Sequence, residues 1–368
     1  MAIRIERAAS LDQLTLTVQE QWNRLPFPSP MQSPDWLLRW WEVFGDTSRD
    51  RLCTLLAYDD ERLVGVAPWY LRNKWPGGNC LRFLGDGEVC SDHSTVPIAV
   101  GYEEVVTQAI GDWLRSQAGQ QWQTLRFDSV DEDNEVVARI VNLFASEGCE
   151  VHTRRTVGNW EFALPETWDA YLANVSKNHR KRCRRWVRNH FESGQLRVVR
   201  VLADDYQRGW GEVSRLNRER REIVGDRSAF LNDDFHRFHL AVLPELITNR
   251  KAELRELRAG DEVVATEYVL HHEKTIFCYQ SGMATTDQRD GYGNLSIVAL
   301  VRDAIESGFE RIDFLRGDEG YKQHWGANRQ GCVSYIVAAK TISANAQVAC
   351  FRAADKMRAI RDSVGLSS

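Results

Sequence analysis

The sequence predicts an α/β protein with mixed sheets, laid out as two similar halves. Three observations point there. Short strand-type runs alternate with amphipathic helical runs along the whole chain of 368 residues. A strand–turn–strand segment in the first half, Glu61–Ala67 (ERLVGVA), has a counterpart in the second, Asp261–Glu267 (DEVVATE), offset by 200 residues. Finally, 43% hydrophobic and 10% aromatic residues suffice for two ordinary cores and exclude disorder by composition.

The elements follow in order. Ser10 and Gln13 have capping-box spacing, which predicts a helix to about Trp22. Ser33-Pro34 opens a second helix that Gly45 can close, with Trp36, Leu37, Trp40, Trp41 and Phe44 on its apolar face. A hairpin is expected from 52–58 and 63–71, then strands at 81–84 and 95–100, a helix over 103–116, a strand at 124–127, a helix over 134–146 and a strand at 150–152. Gly158-Asn159 and Pro165 break the pattern. We therefore expect a first lobe over 1–158, a second over 159–345 and a helical tail over 346–368. In the second half a basic helix (176–193) and a strand (196–201) lead to helices over 205–223 and 233–248. A hairpin from 252–258 and 263–270, a strand at 275–280, a glycine loop, a helix over 295–306 and strands at 311–315 and 333–339 complete it.

Composition excludes several functions. With 47 Lys+Arg against 52 Asp+Glu the net charge is −5, which fits neither a polycationic nucleic-acid coat nor an acidic tail. The N-terminus lacks an apolar signal core and no run of 18 apolar residues follows, so a cytoplasmic protein without a membrane span is expected. Eight dispersed cysteines with no C-x-x-C pair fit a reducing compartment. His272-Glu273 lacks the second His of H-E-x-x-H, and His236/His239 lack an evident third ligand, so no metal is expected.

The most informative segment is Gln288-Arg289-Asp290-Gly291-Tyr292-Gly293-Asn294. A strand, a glycine loop and a helix start in succession present free N–H groups and a positive dipole end to an anion. The third glycine and distal acid of a dinucleotide fingerprint are missing. The spacing Q-x-x-G-x-G instead resembles the acyl-CoA pyrophosphate loop of the GNAT acyltransferase superfamily. A second segment, Arg311–Gly326 (RIDFLRGDEGYKQHWG), resembles the D-F-L-x-G-x-x-x-Y-K signature of CelD-type acetyltransferases. Those are double-GNAT proteins associated with cellulose biosynthesis and related to the Fem-type transferases. Ser33–Trp41, Phe83–Gly87 with Ser91-Asp92-His93, and Ser176–Arg180 carry the resemblance from about residue 30 to 340.

The resemblance implies two tandem GNAT-like lobes packed across a cleft, the first degenerate and the second holding acyl-CoA, in the simplest case acetyl-CoA. It implies transfer of an acyl group to an amine or hydroxyl of a polar small molecule or glycan precursor. Aminoacyl-tRNA-dependent transfer to a cell-wall precursor and a non-catalytic binding protein are the alternatives, and only the former involves nucleic acid. Cofactor phosphates fall to Gln288, Arg289, Gly291, Tyr292, Gly293 and Asn294.

Acyl transfer needs a base for the acceptor, a stabilised oxyanion and a proton for the leaving thiolate. By resemblance Tyr321 stands near the sulfur as acid, although a core tyrosine fits the same position, and Lys322 is the signature cation for the oxyanion. Glu267, in a run of apolar and small residues with Gln280 on the next strand, is either a base of raised pKa or a solvent-facing carboxylate. His93, with Asp86 and Asp92, is the alternative base beside the acceptor. Asp313 on a buried-type strand needs a partner, for which Arg316 is one candidate. Between Lys177 and His190 stand seven Lys/Arg and no acid, with Arg180 and Arg184 on one face: an anion site or a solvated surface.

Overall fold

Polar turns and prolines cut the chain into strands and helices largely where the alternation places them. The computed structural model describes residues 2–74, 78–225, 227–285 and 291–363. They form two compact units, 1–156 with 331–368, and 157–330.

The first unit runs β1 (Arg4–Ala8), α1 (Leu16–Trp22), α2 (Pro34–Phe44), β2 (Asp50–Leu52), β3 (Thr54–Asp59), β4 (Arg62–Ala67), β5 (Trp69–Lys74), β6 (Gly78–Phe83), α3 (Glu103–Gln117), β7 (Thr124–Asp131), α4 (Glu135–Ser146) and the start of β8 (Val151–Ala163). Proline cannot donate to a ladder, and Pro68 splits the second arm of the predicted hairpin into β4 and β5. β3 and β4 then join β1 in a three-stranded sheet, whereas β2 and β5 enter a larger one. Strands β6 and β7 are parallel through Cys80↔Thr124, Leu81↔Leu125 and Arg82↔Arg126.

Three local expectations need correction. The Ser10–Gln13 box closes a short 3-10 turn, and α1 starts only at Leu16, where the Thr15 hydroxyl accepts from Val18 N–H. Residues 95–100, interrupted by Pro97, make a single bridge, Gly65↔Ile98, instead of a strand. The strand expected at 150–152 is the thirteen-residue β8. Gly158 lies inside it, because a Cβ there would collide with the Gln330 carbonyl oxygen.

The second unit continues with α5 (Trp168–Asn174), α6 (Lys177–Trp186), β9 (Leu196–Arg200), α7 (Tyr206–Ile223), α8 (Asp233–Thr248), β10 (Ala252–Ala259), β11 (Glu262–His272), β12 (Thr275–Met283), α9 (Tyr292–Glu306), β13 (Arg311–Arg316) and α10 (Tyr321–His324). Its strands are ordered β8-β13-β12-β11-β10-β9, and only β12 and β13 run parallel. Helices α7 and α9 cover opposite faces. A Cβ on Gly282 would strike Leu216 and Asn217 of α7, while its neighbour Met283 meets Gly293 of α9, and successive strand residues point to opposite sides. The α9 face buries Leu295, Val298, Phe162, Phe314, Trp186 and Trp325. On the α7 face Trp210 and His239 pack with Tyr268.

The chain ends in β14 (Asn328–Ala338) and α11 (Ile342–Ser363). β14 pairs antiparallel with β7 from Cys332 to Ala338. α11 seats Ala344 and Val348 in the first unit, where Asp355 meets the His152 ring at 2.6 Å. The mixed α/β class holds, and each unit contains a hairpin, a strand, a helix and a parallel strand in the same order.

Candidate active site

The site is built where two parallel strands part. β12 and β13 pair only through Thr275↔Arg311, Ile276↔Ile312 and Phe277↔Asp313. From Cys278 onward β12 has no ladder partner on β13 among the described residues, so the two strands part there. Directly after β12 comes the glycine loop, of which Gln288 and Arg289 lie outside the described residues. Gly291 caps α9 with φ +64°, which favours glycine, and a Cβ there would meet nothing nearer than the Asn294 amide at 3.9 Å. Tyr292, Gly293 and Asn294 form the first turn of α9, which carries no acidic residue. The far end of β12 lies beside the positive end of this fifteen-residue helix, where Met283 stands against Gly293. Gly293 has a different reason: a Cβ would lie 2.7 Å from the Met283 sulfur.

Beneath α9, Glu267 is buried on β11. It is hydrogen-bonded to the Ser296 side chain and stands 3.7 Å from Arg255. Burial first, then the negative Asp303 and Glu253, raise its pKa against the pull of Arg255 and Ser296. It is thus a buried carboxylate, not a solvent-facing one. Cys278, which reads in the sequence as a small core residue, is close enough to feel Glu267, Asp313 and Lys322. Burial first, then the two carboxylates, push its thiol well up, so it stays protonated. Gln280 does not join this group. A one-residue bulge between Cys278 and Gln280 pairs Gln280 with Tyr268, on the α7 face, and Ser281 is the cross-strand partner of Glu267.

The signature segment folds over the end of β13. Leu315 has φ +55°, a left-handed conformation that costs a leucine about 1 kcal/mol or more. Asp313 accepts its N–H at 2.7 Å. Lys322, only 2% exposed, donates to the carbonyls of Leu315, Arg316 and Gly317 at 3.2, 3.0 and 3.0 Å and lies 2.9 Å from Glu319. Its three N–H groups are therefore directed into this loop, in place of the expected oxyanion contact. Arg316 pairs in the ladder with Asn159. Tyr321 packs its ring edge-on to Phe314 at 6.0 Å. The residue is 43% exposed. Burial, and then Cys278, Glu319 and Glu267, raise its pKa, so the phenol keeps its proton at neutral pH.

In the first unit the equivalent divergence of β6 and β7 is filled by the chain itself. The loop 84–95 crosses it, with Ser94 N–H donating to Ser129 C=O at 2.9 Å. Cys90, His93 and Ser129 have φ of +51°, +59° and +60° around it. His93 meets Asp131 at 2.8 Å, Asp86 accepts from the Tyr70 hydroxyl and pairs with Arg82, and the Asp92 carbonyl accepts from Gln32. Acidic Glu103 and Glu104 open α3, unlike the uncharged start of α9.

On the basic helix, Arg180 is turned inward and caps α5, donating to the carbonyls of Leu172, Ala173 and Val175. Arg184 is exposed, 3.7 Å from Asp169. Lys177, Lys181, Arg182 and Arg188 are exposed as well.

Among the described residues no group of three or more His, Cys, Asp or Glu could hold a metal ion, and no helix is long and apolar enough to cross a membrane. No curated protein sequence matches the chain. Among solved structures, the fold is similar to FemX, with 11% identity, a TM-score of 0.61, and coverage of 90% of this chain and 96% of that one. It is also similar to L-PGS from Bacillus licheniformis, with 12% identity, a TM-score of 0.53, and coverage of 89% and 92%. A conserved protein from Bacteroides thetaiotaomicron follows, with 11% identity, a TM-score of 0.52, and coverage of 92% and 100%. Likeness at this identity speaks to the fold alone. Residues 177–323 match the family described as acetyltransferase (GNAT) domain, and the matched stretch spans the glycine loop, the parting strands and the signature segment.

Proposed function

We propose that this chain is an acyl-CoA-dependent acyltransferase, with acetyl-CoA the simplest donor, acting on an amine or hydroxyl of a polar small molecule or glycan precursor. The observation that carries the reading is the parting of β12 and β13 next to the glycine-capped start of α9. An extended amide-bearing chain fits the opened strand edge, and a pyrophosphate fits the helix start. The donor supplies an activated thioester when bound. Glu267 takes the acceptor's proton as the new bond to the acyl carbon forms. The C–S bond then breaks, and Tyr321 returns a proton to the departing sulfur. Backbone N–H groups of β12 beyond Phe277 hold the oxyanion. His93, held by Asp131, is the second candidate base. The signature extends this reading to a CelD-type role in polysaccharide assembly in the cytoplasm, with one donor site per chain because loop 84–95 fills the first unit's equivalent position.

Calorimetry with acetyl-CoA tests it: about one site per chain is expected, and no binding would end the reading. A second reading, transfer of an aminoacyl group from tRNA, is favoured by the exposed cations of α6, which packs beside α9. Salt-sensitive tRNA binding without acetyl-CoA binding would select it.

A further inference from the structure

The left-handed Leu315 is the feature of the site that its proposed chemistry leaves unexplained. A leucine avoids φ +55° unless its surroundings hold it there. Both of its backbone groups are held by charged side chains: Asp313 accepts the N–H at 2.7 Å and Lys322 donates to the C=O at 3.2 Å. Lys322 also gathers the carbonyls of Arg316 and Gly317, and Gly317 has φ +126°, where glycine is favoured. The charges are buried, and each is matched to backbone dipoles, so they resist displacement by solvent. The irregularity sits where the β13 ladders change. Pairing with β12 ends at Asp313, and pairing with β8 slips between Asp313 and Arg316.

We propose that Asp313 and Lys322 are positioning residues. They lock Leu315 in its left-handed conformation, which turns the end of β13 away from β12 and keeps the β12 edge open. The functional consequence rests on the acyl-CoA reading; the lock itself does not. On this account the aspartate and lysine of the signature shape the slot without touching the ligand. Tyr321, one residue from Lys322, is delivered to the slot by the same loop.

The test uses the full chain. Amide exchange at residue 315 is followed by NMR, and acetyl-CoA affinity by calorimetry, in the wild type, Lys322→Met, Asp313→Ala and Asp313→Asn. In Lys322→Met and Asp313→Ala the amide at 315 should exchange faster and affinity should drop by about tenfold or more. Asp313→Asn keeps an acceptor oxygen and should stay near wild type. The decisive variant is Lys322→Met with Leu315→Gly. Glycine adopts φ +55° without a clamp, so this pair should recover most of the affinity lost by Lys322→Met. It also serves if Lys322→Met alone fails to fold. Unchanged protection at 315 in Lys322→Met would overturn the proposal, whatever the ligand result. So would a folded double variant that stays as weak as Lys322→Met, because the lysine would then contact the ligand. A wild type that binds no acetyl-CoA would instead remove the acyl-CoA reading, and exchange at 315 would still decide the lock.

Discussion

Arg255 lies 3.7 Å from Glu267 while holding Asp303 at 2.6 Å and Glu253 at 3.2 Å, so one buried guanidinium is shared among three carboxylates. Arg200 adds a second counter-charge to Glu253 and Asp303, at 3.2 and 3.6 Å. Glu267 therefore retains its proton above the ordinary carboxylate range, with burial as the first cause. Glu267→Gln should fold and lose turnover by ~100-fold or more. The alkaline rise in wild-type rate that follows deprotonation of Glu267 should vanish with it. The stability effect has the opposite slope. The folded state binds this proton more tightly than the unfolded one. Its contribution is full below the unfolded carboxylate pKa and is lost as pH rises through the folded one. Urea melts over that window should fall more steeply for wild type than for Glu267→Gln. An unaltered rate profile in the variant would remove Glu267 as base.

Tyr321→Phe keeps the ring against Phe314 and deletes only the hydroxyl. We expect acetyl-CoA affinity near wild type and turnover lower by ~100-fold or more. Because the phenol pKa is raised, the wild-type rate should show no alkaline loss at the usual tyrosine pKa. Full turnover in the Phe variant with saturating acceptor would leave Tyr321 a packing residue.

The two glycines of the loop should respond differently. Gly291→Glu forces a side chain onto φ +64° and places a negative charge at the helix start, so acetyl-CoA binding should disappear. Gly293→Ala instead meets the flexible end of Met283, and weaker binding should be restored by adding Met283→Ala. Calorimetry on the three variants checks this, and equal effects of Gly291→Glu and Gly293→Ala would contradict it.

What the sequence disclosed was local, and what it withheld depends on distant partners. The hairpin repeat at an offset of 200 residues was legible because alternation and turn residues act within a few positions. The length of β8 was not, since Gly158 reads as a break until the Gln330 carbonyl stands against it. Register was equally hidden: one extra residue at Tyr279 moves Gln280 to the face opposite Glu267. Cys278 reads as a small core residue because nothing local reveals Glu267 and Asp313 beside it. Lys322 stood out through its signature, and the resemblance implied an oxyanion contact. Its three carbonyl partners exist only once Leu315 turns left-handed. Arg180 belongs to the same class, a cation in a basic run whose hydrogen bonds reach back to the preceding helix.

His179 supplies a prediction independent of the ligand. Its ring stands edge-on to Trp325 at 4.7 Å and to Trp186 at 5.9 Å, it is 1% exposed, and neither nitrogen has a hydrogen-bond partner among the described residues. Burial first, then Arg182 and His324, lower its pKa from 6.5 to about 4. The unfolded chain takes up this proton near pH 6.5 and the folded one does not, so stability is full above that value and is lost as pH falls toward about 4. The loss reaches at most ~3 kcal/mol across the window. His179→Phe retains an aromatic ring and deletes two buried polar atoms that have no partner to lose. It should match or exceed wild-type stability at neutral pH and flatten the acid limb between pH 6.5 and 4. Denaturant melts at half-unit pH steps measure both effects. An acid limb as steep in His179→Phe as in wild type would place the sensitive group elsewhere.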